Sequence, residues 1–175
     1  FYDAQGTWSG RAGRFLDPYG DEVISMPPGP ALAFLDNIDE PWPPVTMTDR
    51  DIGGRFMGYR LDDERRPILM YQLGDIVIEE QPIPIISPGG ANLTRRFSLE
   101  AGQILDDLYL LLAEGEQITQ NTDGSWMIDG RLNIALRSST PMTPMVRTSQ
   151  GVQQLLLPVG IASNQTVSID VELSW

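Results

Sequence analysis

The residues of this chain with a capacity for acid–base chemistry are carboxylates, and they fall in three clusters: Asp62-Asp63-Glu64, Glu79-Glu80 and Asp106-Asp107. Two carboxylates facing each other about 5–10 Å apart across a groove would serve to cleave a glycosidic bond. The spacing argues against that use, because neighbouring acids in a strand point to opposite faces and acids in a turn are ordinarily solvated. Solvated turns are the expected role of these clusters, with carboxylate-dependent sugar chemistry as the rival. Asn121-Thr122-Asp123-Gly124 offers oxygens to a lone calcium ion, yet the same four residues are a common turn sequence. No stretch has the spaced carboxylates and central glycine of an EF-hand loop.

What is missing narrows the chemistry further. The chain has no histidine and no cysteine, and its twelve basic residues are all arginine. These absences remove Ser-His-Asp and Cys-His machinery, thiolate and imidazole metal sites, the C-x-x-C-H haem attachment and lysine Schiff bases. An internal haem ligand would have to be methionine or tyrosine. The expectation is a protein that is not an enzyme and holds no cofactor or transition metal. Twenty-four acids against twelve arginines leave a net charge of −12, a field that repels phosphate backbones and anionic lipid surfaces. A protein partner is expected, with neither nucleic acid nor bare membrane. The longest apolar run, residues 108–113, is far short of the roughly 20 residues of a membrane span.

Aromatic side chains are the remaining candidates for contact, since they combine apolar area with a polar handle and either stack on sugars or dock a protein. Trp8, Phe15, Tyr19 and Trp42 are predicted to bind a partner, with Trp42, set in Pro41-Trp42-Pro43-Pro44, expected to be the most exposed. Trp126 and Trp175 are expected to pack at the core or its edge. Arg95-Arg96 has the donors to clamp a carboxylate, although pairing across a strand to an acid is the plainer expectation. Asn92-Leu93-Thr94 and Asn164-Gln165-Thr166 are glycosylation sequons in a host that uses them.

The elements that must position these residues are strands. A length of 175 residues suits one domain, here 1–175, divided into an arm over 1–50 and a β body over 51–175. The arm carries seven of the fourteen prolines, which cannot donate to a ladder, so it is predicted to be extended, with short strands at most, and to lie on the body. Residues 56–61 and 67–73 read as a hairpin across Asp62–Arg66. Gly74-Asp75 has type II′ turn chemistry before a strand at 76–80, and Pro82, Pro84 and Pro88 are predicted to end its pairing. Residues 93–99 alternate as a strand with one mixed face. Leu105–Ala113 fits a helical stripe and a buried strand, and the strand is favoured. Strands at 125–128 and 131–137 flank a type I′ turn at Asp129-Gly130, and two more follow at 153–159 and 166–173. About nine strands without a long helix predict an all-β antiparallel sandwich.

Several stretches resemble a domain of large secreted planctomycete-type proteins that combine cytochrome c domains with quinoprotein-dehydrogenase-like propellers. They are residues 15–24 (FLDPYGDEVI) with 27–35, 56–62 (FMGYRLD), 66–71 (RPILMY), 77–80, 93–99 (LTRRFSL), 155–159 and 171–175 (VELSW). The matching motifs are structural, and the chain has neither the cytochrome motif nor a propeller. The resemblance implies a non-catalytic periplasmic or extracellular accessory subunit, peripheral to an electron-transfer complex with a cytochrome subunit, conceivably a photosynthetic reaction centre. The alternative is a carbohydrate-binding or sugar-processing module. The chain opens on Phe1, so removal of an upstream stretch is expected. Residues from Phe1 to about Arg50 are expected either to supply much of the partner contact or to cover the sandwich's own edges.

Overall fold

The computed structural model describes residues 24–27, 29–44, 54–87 and 90–175. Among them are twelve strands: β1 (Leu32–Phe34), β2 (Gly54–Leu61), β3 (Pro67–Leu73), β4 (Ile76–Ser87), β5 (Gly90–Ala101), β6 (Leu105–Gly115), β7 (Ile118–Gln120), β8 (Trp126–Ile128), β9 (Leu132–Ser138), β10 (Met145–Ser149), β11 (Val152–Ile161) and β12 (Gln165–Ser174). They form a four-stranded sheet, in the order β1-β6-β11-β10, and an eight-stranded sheet, in the order β2-β3-β4-β5-β12-β9-β8-β7. Every pairing is antiparallel. The all-β sandwich is as predicted, with twelve strands in place of nine. The additional three, β1, β7 and β10, are each five residues or shorter, too short for alternation to stand out from the loops around them.

Turn chemistry fixes the register. Asp129 and Gly130 both take positive φ, 50° and 65°, as a type I′ turn requires, and Gln150 and Gly151 do the same between β10 and β11 at 51° and 88°. Gly74 adopts φ 56° at the β3–β4 turn, where a first-position glycine suits type II′.

One expectation for strand ends needs correction at Pro82 and Pro84, while Pro88 lies outside the described residues. β4 runs through Pro82 and Pro84 and keeps its pairing with β5 to Ser87. Both prolines lie beyond Glu80, the last residue of β4 paired with β3, so a missing N–H on that side costs no ladder bond. Residues 105–115 are strand β6, and the near-continuous apolar run that also suited a helix has a structural cause. Leu108, Leu110 and Leu112 face the main core between the sheets, while Tyr109 and Leu111 belong to a second cluster with Ala33, Leu35, Trp42 and Leu156. Strands covered on both faces lose the alternation of a half-buried strand.

The second cover comes from residues 35–42. Leu111 N–H donates to Ala31 O and Leu35 N–H to Asp107 O, extending the β1–β6 ladder at both ends. Arg147 on β10 then holds the segment, its Nη1 donating to the carbonyls of Ile38 and Glu40, the latter at 2.6 Å. Arg147 Nε donates to Gln154 Oε1 at 2.8 Å, and buried Gln154 passes the network to Glu114 at 2.6 Å. Burial pushes the Arg147 pKa down, with its Nη2 buried and without a partner among the described residues. This part of the arm belongs to the fold.

Candidate functional site

The two sheets differ in width, and the site follows from that difference. β1 ends the four-stranded sheet, whereas β2 and β3 end the eight-stranded sheet on the same side of the sandwich. Cross-strand register places Phe56 beside Tyr71, Tyr59 beside Leu69 and Leu61 beside Pro67 on one face of the overhang, the face that carries buried Ile78 on β4. Arg55, Gly58 and Arg60 point to the other face, next to Gln72, Met70 and Ile68. A β-bulge between Phe56 and Gly58, with Met57 as the extra residue and Gly58 at φ 119°, sets this arrangement.

The result is an edge strand that is apolar and open. Phe56, Met57 and Leu61 are each 49% exposed and Tyr59 is 65% exposed. The Phe56 and Tyr71 rings pack 5.4 Å apart with their planes tilted by 53°, which is an aromatic pair and not a flat platform for a sugar ring. Between β1 and the overhang runs a cleft of about 370 Å³, with Leu32, Tyr71, Ile78 and Phe97 among its walls. Arg95 and Glu80 form its polar floor, bonded at 2.7 Å and both largely buried. Arg95 also lies over the Phe97 ring, 4.9 Å from the centroid.

The carboxylates singled out from sequence are engaged elsewhere. Asp62 Oδ1 accepts the backbone N–H groups of Glu64 and Arg66 at 2.9 and 2.8 Å, and its Oδ2 accepts Arg66 Nε at 2.8 Å and Gln81 Nε2 at 2.6 Å. The Arg66 backbone N–H is the main reason its pKa lies below the usual aspartate value. Glu79 pairs with Arg60 at 2.9 Å, and Asp106 and Asp107 are exposed. Glu80 is the one carboxylate among the described residues lining the cleft. No pair of facing acids for sugar hydrolysis is found there. Asp123 accepts both the hydroxyl and the backbone N–H of Ser125, which hold its pKa down in the order given. Among the described residues no cluster of three acids fit to hold a metal ion exists.

Arg95 and Arg96 point to opposite faces, each to its own acid, with Arg96 gripping Asp170 through two bonds at 2.8 and 2.9 Å. That grip pushes the Arg96 pKa up. Both arginines therefore pair across strands, as the plainer expectation had it.

Trp42 corrects an expectation. It is buried at 8% exposure and its Nε1 donates to Pro30 O at 2.9 Å, because the flanking prolines fold the chain onto the outer face of the four-stranded sheet. The expected exposure is therefore not found. Trp8, Phe15 and Tyr19 lie outside the described residues. Trp126 and Trp175 pack partly buried against the main core, as expected. Asn164 is exposed, whereas Thr94 of the other sequon is buried. Sequence reasoning missed the overhang itself, since residues 56–61 read only as one strand of a hairpin, and the bulge that brings Phe56 to the face of Tyr59 and Leu61 has no signal in the alternation.

No family model matches the chain, and no curated protein is significantly similar to it. Among the described residues no helix is long and apolar enough to cross a membrane.

Proposed function

We propose that this protein is a non-catalytic docking module whose contact surface is the β2–β3 overhang. The observation that carries the reading is the open end strand, on which Phe56, Met57, Tyr59 and Leu61 stand in solvent side by side. Single exposed apolar residues are ordinary, but a contiguous set on an unpaired edge marks an interaction site. The chemistry available to the chain points the same way, since the carboxylates in reach are already bonded to arginines and backbone amides.

The proposed setting is a periplasmic or extracellular electron-transfer assembly with a cytochrome subunit, and its support is the sequence resemblance described above. Placing a photo-crosslinking benzoylphenylalanine at Tyr59 tests both statements, with Ile104, 73% exposed in the β5–β6 connection, as the control position. The expected outcome is one defined adduct from the Tyr59 position, identified by mass spectrometry as a redox subunit and lost with Leu61→Asp. Equal labelling from both positions would remove the overhang as the docking surface. A defined adduct with a polysaccharide-associated protein, or binding to a glycan array, would transfer the reading to the carbohydrate alternative.

A further inference from the structure

The cleft between β1 and the overhang holds a polar pair that is short of partners. Arg95 Nε donates to Glu80 Oε1 at 2.7 Å, and the two side chains are only 14% and 15% exposed. Arg95 Nη1 and Nη2 and the second carboxylate oxygen of Glu80 have no hydrogen-bond partner among the described residues. None of these atoms is sealed off, and both residues line this cleft and a second one of about 310 Å³ beside it. Gly29, Pro30 and Ala31 wall both cavities, so the pair stands where the two meet. Polar groups this deeply placed are ordinarily bonded, either to protein or to something held there.

We infer that the cleft is a binding site for a small uncharged ligand that carries a carboxamide, or a group with the same adjacent donor and acceptor, on an apolar body. The carbonyl oxygen of such a group takes the free Arg95 donors, and its N–H gives to the open Glu80 oxygen. Leu32, Leu73, Ile78 and Phe97 receive the apolar body. A volume of about 370 Å³ lies at the small end of ligand pockets, which run from roughly 300 to 1,000 Å³. Their usual plan is the one found here, apolar walls with a few placed polar groups.

Charge decides between this class of ligand and its neighbours. A carboxylate would place a second negative charge beside largely buried Glu80, in a chain of net charge −12. A cation would meet Arg95, which already lies 4.9 Å from the Phe97 ring centroid, and would have to take Glu80 from it. Arg55, the other charged residue on the walls, is exposed, and its guanidinium is engaged by Gln72 and Met57. A neutral ligand leaves the Arg95–Glu80 bond in place and adds to it. Phe56, Met57, Tyr59 and Leu61 are absent from the walls, so the site is separate from the surface of the docking reading and does not depend on it.

The test titrates the whole chain with benzamide, benzoate, benzylamine and toluene, which share one ring and differ in charge and polarity, and follows amide and methyl shifts by NMR. Benzamide is expected to bind about ten-fold or more tightly than any of the others, with the largest shifts at Ile78, Arg95 and Phe97. In Glu80→Gln the cleft keeps the cation alone, and the preference is expected to pass to benzoate. Should that variant fail to fold, the ranking of the probes on the unaltered chain decides by itself. Equal binding of the probes, a preference for a charged one, or an unchanged preference in folded Glu80→Gln would each overturn the inference. So would shifts that fall outside the cleft, or no binding at all, which would leave water as its only occupant.

Discussion

The two halves of the eight-stranded sheet face different worlds. Under β6 and β11, the inner residues of β5, β12 and β9, among them Phe97, Leu99, Ile134, Ile169 and Val171, are sealed to 1% exposure or less. Beyond β1, the same face of β2 continues with side chains of equal hydrophobicity that nothing in the described structure covers. Alternation alone makes both halves look like core. The difference teaches that hydrophobic pattern reports which face of a strand is apolar, whereas the length of the opposing sheet decides whether that face is hidden. Where the cover ends, apolar area becomes available for binding.

Paired truncations give the sharpest way to break this comparison. Leu110→Ala on β6 empties space between the sheets and is expected to cost about 2–5 kcal/mol in denaturant unfolding. Leu61→Ser on β2 is expected to stay within about 0.5 kcal/mol of the parent. A large loss for Leu61→Ser would mean that the overhang is covered and would remove the basis of the docking reading.

The outer cover of the four-stranded sheet comes next. Arg147→Ala deletes the donors that hold Ile38 and Glu40, and charged hydrogen bonds of this kind imply a loss of about 2 kcal/mol after the unpaired Nη2 is relieved. Hydrogen exchange of the Leu35 and Glu40 amides, bonded to Asp107 O and Asn37 O, should accelerate in the variant. Unchanged exchange would show that Trp42 and Leu35 hold the segment without the arginine. A smaller effect is expected at the closed end of the sandwich, where a Cβ on Gly115 would come within 2.8 Å of side-chain atoms of Asp129 and Ile128. Gly115→Ala should destabilise by about 1–2 kcal/mol, and Asp129→Gly in the same chain should recover part of it. Absence of any recovery would place the strain on Ile128.

Much of the fold was legible because turn chemistry and β-branched runs agree, as at Asp129-Gly130 between β8 and β9 or across the β2–β3 hairpin. The departures have local causes. Pro82 and Pro84 looked like strand breakers because sequence does not show that β4 has lost its neighbour on one side. Trp42 looked exposed because three prolines around it suggest a loop, and nothing local reveals that Pro30 O waits 2.9 Å away. The site was legible in its chemistry and illegible in its place. The missing histidine and cysteine and the pairing of Arg95 and Arg96 across strands could be read directly. That β2 stands in solvent depends on sheet order, which no residue encodes alone.

The mildest test of the comparison is one of pH, at the tip of the overhanging hairpin. Asp62 ties this tip together by accepting two backbone amides, and through Gln81 it ties the tip to β4. Its folded pKa lies below the ordinary aspartate value of about 3.9, so its contribution is complete above that value and is lost as the pH falls through the folded one. Within its sheet the overhang is hydrogen-bonded to the sandwich through β4, and only the end of β3 far from this tip, at Tyr71 and Leu73, packs on the main core, so this loss should loosen the hairpin and leave the sealed half intact. Amide exchange of β2 and β3, followed from about pH 6 downward, is expected to rise relative to that of β6 and β11 only in the acid limb, below about pH 4. Asp62→Asn should raise exchange in the hairpin at neutral pH and flatten its acid dependence. If β6 and β11 loosen in step with β2 in the parent chain, the hairpin and the core form one cooperative unit, and the overhang is not the separable surface that the docking reading requires.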